Sequence, residues 1–483
     1  MTSSHLKKNT LSGLMWKFFE NFGTQLINFI IQLVLARLLL PEDYGTIAIT
    51  AVFILIAQVF IQTGFSAAII QKKTLSDLEI NSVFHAGWII AVVIYITVFL
   101  ASPFVGSFYQ DTLLVNVLRV QAFLIVITAF SSVQNALLIR NFEFKKSFVY
   151  RFIAVMMQGA LGIMLALNGF GVWAIVYSNI LNASIITLCF WFIVKWKPKK
   201  EFSWTAFKGL FSYSYRVFMT TLINTLFNNL QSLIIGKQYS KESLGYYNRG
   251  YQIPMLIMVN TDGAINSVMF SSLSKVQDNQ SQLLSMYRRS IRSSVFIIFP
   301  MMIGLIAIAE PLTLFLLTDK WKDSVPFLQL VSIICMTWPF SMLYQLLNAQ
   351  NRERLSFWIN FLSKIVAVIA MVIAMNYSIY LFVLSALVGQ LVSVGIGFVV
   401  AKRIYNYRII DQIYDAMLSL IPALVMGSLV FSMNYLIDSL FIRLVIQGLT
   451  GVISYVIISY LLNRETMLYL IKSVHDLFNK ESM

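Results

Sequence analysis

Residues 18–46, FFENFGTQLINFIIQLVLARLLLPEDYGT, carry two signals at once. The run from Phe18 to Leu40 is mostly apolar and long enough to cross a bilayer, which takes about 20 residues of helix. Yet Asn21, Thr24, Gln25, Asn28 and Gln32 interrupt it, at spacings of 3, 4, 7 and 11 from Asn21, which place all five on one helical face. Polar side chains are costly toward lipid, so such a stripe faces protein or water. At an offset of 200 the pattern returns as FMTTLINTLFNNLQSLIIGKQYSKESLGYY, from Phe218. Phe18/Phe218, Leu26/Leu226, Asn28/Asn228, Leu33/Leu233, Glu42/Glu242 and Gly45/Gly245 are identical, and Arg37/Lys237 keeps its charge. Thr221, Asn224, Asn228, Gln231 and Ser232 form the matching stripe. Gln58 and Gln62 extend polarity to the next apolar run of the first copy, and Gln252, Asn260, Asp262 and Asn266 do so in the second.

Outward from this pair, the rest of the chain reads as membrane protein. Of 483 residues, 58% are hydrophobic and 12% charged. Soluble chains carry about 25% charged residues. Fourteen apolar runs are long enough to span: 14–39, 45–70, 82–107, 112–138, 148–168, 171–194, 209–236, 244–272, 288–310, 325–349, 355–375, 378–401, 413–436 and 440–462. With the N-terminus in the cytoplasm, 26 of the 36 Lys and Arg residues fall in inside segments and 7 in outside segments, Arg249 among the latter. Cytoplasmic loops carry this excess, and one span missed or invented would swap the sides of every later loop. The net charge of +15 sits in those short clusters, so no nucleic acid is expected as a partner. The first run is too long for a signal-peptide core and is expected to stay in the mature chain. Cys189 and Cys335 lie in apolar runs, so no disulfide framework is expected. His5, His85 and His475 have no metal-ligand spacing, so no metal site or cofactor is expected.

The repeat unit holds six spans, an even number, so both copies enter the membrane in the same direction, as parallel repeats do. The expected fold is therefore all-α: two six-helix lobes, 10–200 and 201–402, around a central cavity. Two further transmembrane helices follow at 403–463, then a cytoplasmic amphipathic tail at 464–483. Lys195–Lys208 reads as the link between lobes. One stripe alone fits interhelical hydrogen bonding; two, at repeat-related positions, favour a hydrophilic cavity lined by spans 1, 2, 7 and 8. Its candidate lining is Lys17, Asn21, Gln25, Asn28, Gln32, Gln58, Gln62, Arg216, Asn224, Asn228 and Gln252. Lys17 and Arg216 lie toward the inner ends of their spans, Arg37 and Lys237 toward the outer ends. Cations at both mouths suit a phosphate-bearing cargo, and snorkelling to lipid headgroups is the competing explanation. Asp262 is the candidate acid for coupling to H+ or Na+; Glu20, Arg119, His85 and Lys364 are further intramembrane candidates. There is no Walker A motif, so ATP hydrolysis within the chain is not expected. No catalytic constellation stands out, and the chain is not expected to be an enzyme.

Three segments resemble a known family. Leu35–Gly45, LARLLLPEDYG, resembles the ARLL-PEDYG signature of polysaccharide-repeat flippases. Ile234-Ile235-Gly236 followed by SLGYYNRGYQ at 243–252 resembles their IIG…LGYY-RAYQ stretch, with Gly250 where many relatives have Ala. SLSKVQD at 272–278 resembles their LSRLQDD segment. The family is the Wzx-type polysaccharide transporter branch of the multidrug, oligosaccharidyl-lipid and polysaccharide exporters. The resemblance implies undecaprenyl-diphosphate-linked repeat units as cargo and alternating access between two lobes. It also implies partnership with glycosyltransferases and a polymerase in making O-antigen, capsule, exopolysaccharide or teichuronic-type polymer at the bacterial cell membrane. A drug or small-metabolite exporter of the same superfamily, and a membrane-embedded polymerase or lipid-sugar transferase, stand as the other readings.

Overall fold

The computed structural model describes residues 23–61, 69–70, 72, 75–275 and 280–480. Among these it is helical, with no β-strand. The helices are α1 (Gly23–Leu38), α2 (Pro41–Ile61), α3 (Asp77–Tyr109), α4 (Thr112–Gln121), α5 (Phe123–Arg140), α6 (Phe144–Leu167), α7 (Val172–Ile193), α8 (Trp204–Gln238) and α9 (Lys241–Lys275). They continue as α10 (Gln280–Ala307), α11 (Ala309–Leu317), α12 (Val325–Cys335), α13 (Met342–Ala349), α14 (Glu353–Ala374), α15 (Ile379–Tyr405), α16 (Ile409–Ser432), α17 (Leu440–Leu462) and α18 (Arg464–Lys480).

Among the described residues, eleven helices are long and apolar enough to cross a membrane. In that count α4 and α5 form one span, and the stretch Asp319–Ala349 another. Five of the named helices fall outside it: α11 and α18, of 9 and 17 residues, and α1, α8 and α9, which carry most of the polar residues discussed above. α1 is apolar but short in its described part. α8 and α9, at 35 residues each, are long enough, but their asparagines, glutamines and threonines lower their hydropathy. Two expected spans are broken rather than continuous. The fourth divides at Ala122, which ends α4 and begins α5. The tenth divides at a 3-10 turn, Trp338–Ser341, containing Pro339; proline has no N–H to continue the helical ladder.

The chain divides into two compact units, Met1–Gly245 and Tyr246–Met483. In the first, α2 packs on α8, α6 on α7, and α3 on α4, α5 and α8. α8, which the repeat groups with the second lobe, thus packs inside the first unit. The core around α3 is Ile80, Val83, Phe84 and Ala86 against Val133, Ala136 and Phe207. The link between α7 and α8 is pinned along the start of α3: the Lys199 N–H donates to Asn81 Oδ1 at 3.1 Å and the Ser203 N–H to Ser82 Oγ at 2.9 Å. Asn81 and Ser82 are fully buried, so these bonds satisfy polar groups that would otherwise be costly.

In the second unit α10 is the central helix. Leu283, Tyr287, Ile291, Val295, Phe299 and Ile303 recur at spacings of four, which makes one continuous ridge. The ridge meets Met342, Leu343, Leu346 and Leu347 of α13, Ala401 and Tyr405 of α15, and Ala416, Ala423, Met426 and Val430 of α16. A charged cluster closes one end of this core. Asp415 of α16 is fully buried and receives Arg288 Nε at 2.5 Å, Arg288 Nη2 at 2.9 Å and Arg292 Nη2 at 2.7 Å, together with the Tyr407 hydroxyl. Arg292 also reaches Glu465 of α18 at 3.1 Å, and Arg289 lies over the Tyr469 ring at 4.7 Å. A carboxylate without its charge partners would be strongly disfavoured there.

Candidate functional site

The structure places the described stripe residues on α1, α2 and α8. Gln25, Asn28 and Gln32 are half-buried along α1, and Gln58 is half-buried on α2. On α8, Asn224 is half-buried, Gln231 is buried, and Asn228 is exposed in the apolar part of the helix. Asn229 returns its amide to the Thr225 carbonyl at 2.8 Å, which leaves α8 polar on more than one side. Gln252 of α9 is brought together with a residue that sequence reasoning had counted as a loop charge. It accepts a hydrogen bond from Arg249 Nη1 at 2.6 Å. Arg249 lies in α9, is only 5% exposed, and sits 5.5 Å from the Trp321 ring. The sequence signal for its burial is the aromatic run Tyr246, Tyr247 and Tyr251 around it.

Lys17, Asn21 and Gln62, with Glu20, lie outside the described residues. Arg216 and Asp262 lie on α8 and α9, and their side chains are outside the description. Arg119 donates to Ser102 Oγ at 2.8 Å and lies over the Phe99 ring at 4.5 Å, within the first unit. His85 is bonded to the Lys199 carbonyl of the link at 2.8 Å. Lys364 is half-buried on α14. Among the described residues no group of three or more His, Cys, Asp or Glu could hold a metal ion.

The best-defined geometry lies beyond the stripes, where α1 turns into α2 and α8 into α9. Arg37 and Lys237 are both exposed there. The Lys237 ammonium donates to the Phe108 carbonyl and lies 4.6 Å from the Phe108 ring. Lys241 Nζ donates to Asp111 Oδ2 at 2.9 Å, and the Tyr109 hydroxyl to the Leu233 carbonyl at 3.1 Å. The starts of α2 and α9 touch reciprocally. A Cβ on Gly45 would lie 1.9 Å from the Lys241 carbonyl oxygen, and one on Gly245 would lie 2.0 Å from the Pro41 carbonyl oxygen. The offset of 200 relates both glycines and both carbonyl residues, so each copy presents the same pair to the other, as a two-fold contact requires. Only glycine permits this approach.

Comparison with known proteins agrees with this architecture. The chain is 22% identical to the teichuronic acid biosynthesis protein TuaB of Bacillus subtilis (strain 168), over 68% of this chain and 68% of that protein. It is 23% identical to the lipopolysaccharide biosynthesis protein WzxC of Escherichia coli (strain K12), over 68% of this chain and 67% of that one. Its fold is similar to a solved structure of the lipid II flippase MurJ, with a TM-score of 0.79 over 94% of this chain and 100% of that chain, at 15% identity. The profile of the family described as polysaccharide biosynthesis protein matches residues 34–326, which include the α1–α2 and α8–α9 turns, both glycines of the reciprocal contact and the whole of the α8 stripe but not the α1 stripe, and the chain belongs to that family.

Proposed function

We propose that the chain is a flippase that carries undecaprenyl-diphosphate-linked oligosaccharide repeat units from the cytoplasmic to the outer leaflet of a bacterial cell membrane. The observation that carries this reading is the pair of polar stripes on α1 and α8, at repeat-related positions, in a member of the polysaccharide biosynthesis family. An exposed Asn228 in the middle of a long membrane helix calls for a water-lined surface rather than lipid. A sugar head group needs such a surface; its polyprenyl tail needs none and can stay in the bilayer. Relatives named for teichuronic acid and lipopolysaccharide biosynthesis, and a fold shared with a lipid II flippase, support the cargo class.

In this reading α1, α8 and α9 join the eleven apolar helices to make fourteen spans with both termini in the cytoplasm. Two six-helix lobes, 10–200 and 201–402, alternate access to a cavity between them; residues 403–463 add two helices and 464–483 lie at the inner surface. Lys17 and Arg216 receive the diphosphate at the inner mouth, while Arg37 and Lys237 stand at the outer mouth. Asp262 couples the cycle to H+ or Na+. Glycosyltransferases supply the cargo and a polymerase consumes it. The protein itself makes and breaks no covalent bond.

A strain lacking the gene is expected to accumulate the lipid-linked unit inside and to lose surface polymer. Altered drug tolerance with polymer intact would overturn the cargo, and bond formation by the purified protein would overturn transport. In the same strain, a Lys17→Ala/Arg216→Ala variant at normal expression is expected to restore less than about a tenth of wild-type polymer, since paired charge contacts to phosphate exceed 1.4 kcal/mol. Full restoration would refute their role.

A further inference from the structure

The α8–α9 turn is held by more than the glycine contact. Within four residues, Phe108 to Asp111, the α3–α4 corner makes three bonds with it: Lys237 donates to the Phe108 carbonyl, Tyr109 donates to the Leu233 carbonyl, and Lys241 donates to Asp111. Asp111 is the best-buried charge in this group, its side chain 10% exposed against 31% for Lys241. The other charges near the two turns are Arg37, Glu42, Asp43 and Glu242, of which Asp43 accepts from the Leu40 N–H at 3.0 Å. We propose that Asp111 and Lys241 are gating residues: their ion pair latches the outer end of α9 beside the Gly45–Gly245 contact, and transport requires the latch to break and re-form. This rests on the proposed orientation and on alternating access.

Three observations carry the assignment. First, the pair joins segments 130 residues apart, and it makes an ionic contact between the α3–α4 corner and the turn. Its loss would free the turn without touching the apolar packing below. Second, the latch is one-sided. The repeat places Pro41 opposite Lys241, so the glycine contact is reciprocal while the ammonium has no counterpart. The Asp111–Lys241 pair therefore holds one side of the contact, and a single substitution can report on its contribution. Third, the two carboxylate oxygens have separate duties. Oδ1 caps α4 by accepting from the Leu113 N–H at 3.0 Å, while Oδ2 takes Lys241. Asp111→Asn keeps an oxygen for the cap, which asparagine serves about as well as aspartate, and removes the charge that the latch needs.

The test uses the full chain with Cys189→Ser and Cys335→Ala, and a single reporter, Gln32→Cys, on the α1 stripe. Its reaction with a membrane-impermeant maleimide is followed from outside intact cells. Asp111→Asn and Lys241→Gln are each expected to raise the labelling rate about tenfold, which corresponds to roughly 1.4 kcal/mol of closing free energy. The exchanged pair, Asp111→Lys with Lys241→Asp, restores opposite charges while losing the α4 cap, and is expected to bring the rate well below that of either single variant, which loss of the cap alone would not do. Unchanged rates in both single variants, with each protein monodisperse in detergent, would overturn the latch. The labelling needs no cargo, so it stands or falls separately from the identity of what is carried.

Discussion

Asp415→Ala is expected to destabilise the unit Tyr246–Met483 by about 3–5 kcal/mol, the range for removing one partner of a buried ion pair. The substitution leaves two guanidinium groups and the Tyr407 hydroxyl facing an apolar gap. The effect should lie toward the lower figure, because the Arg288 side chain is 40% exposed and partly solvated. At roughly 2–4 °C per kcal/mol for a unit of this size, the midpoint of heat-induced aggregation in detergent should fall by about 6–12 °C. Asp415→Asn should lose most of this as well, since it keeps the shape and removes the charge. A midpoint unchanged by either substitution would show that the cluster does not hold α16 to α10.

Gly45→Val and Gly245→Val are expected to abolish export for a different reason. Each adds side-chain atoms where even a Cβ would lie 1.9–2.0 Å from a backbone carbonyl oxygen. Backbone cannot step aside as a flexible side chain can, so the starts of α2 and α9 must separate. If the turns close during each cycle, polymer at the cell surface should fall at least about tenfold, the factor that 1.4 kcal/mol supplies. A larger steric cost is available from overpacking, about 1–3 kcal/mol. Gly209→Ala is the control, since a Cβ there meets nothing within 4 Å. Full export by both valine variants at normal abundance would mean that the reciprocal contact is incidental to transport.

Much of the fold was legible because lipid imposes a length and an apolarity on each helix that can be counted along one chain. The breaks were less legible. Pro339 could be read as a kink, but nothing around Ala122 announces that α4 ends there. The stripes were legible because helical period is a local property: Gln25, Asn28 and Gln32 share a face whatever surrounds them. Asp415 was not, because its value comes from Arg288, 127 residues away in the chain. Asp111 and Lys241 fall between apolar runs, and their pairing likewise exists only across 130 residues of chain. Gly45 and Gly245 were visible as an identity at offset 200, while the close approach that explains them exists only in three dimensions. Arg249 was assigned to a loop from its charge, and the aromatic residues about it bury it instead.

The most direct measurement places the purified protein in liposomes with a fluorescent, undecaprenyl-diphosphate-linked oligosaccharide and follows quenching by a reductant that cannot cross the bilayer. Without protein, roughly half of the label should stay protected in the inner leaflet, because sugar head groups do not cross an apolar core unaided. With the flippase, the protected fraction should fall toward zero, and Lys17→Ala/Arg216→Ala should hold it near the protein-free level. Protection that remains near one half with the folded wild-type protein, under gradients of both H+ and Na+, would contradict the account.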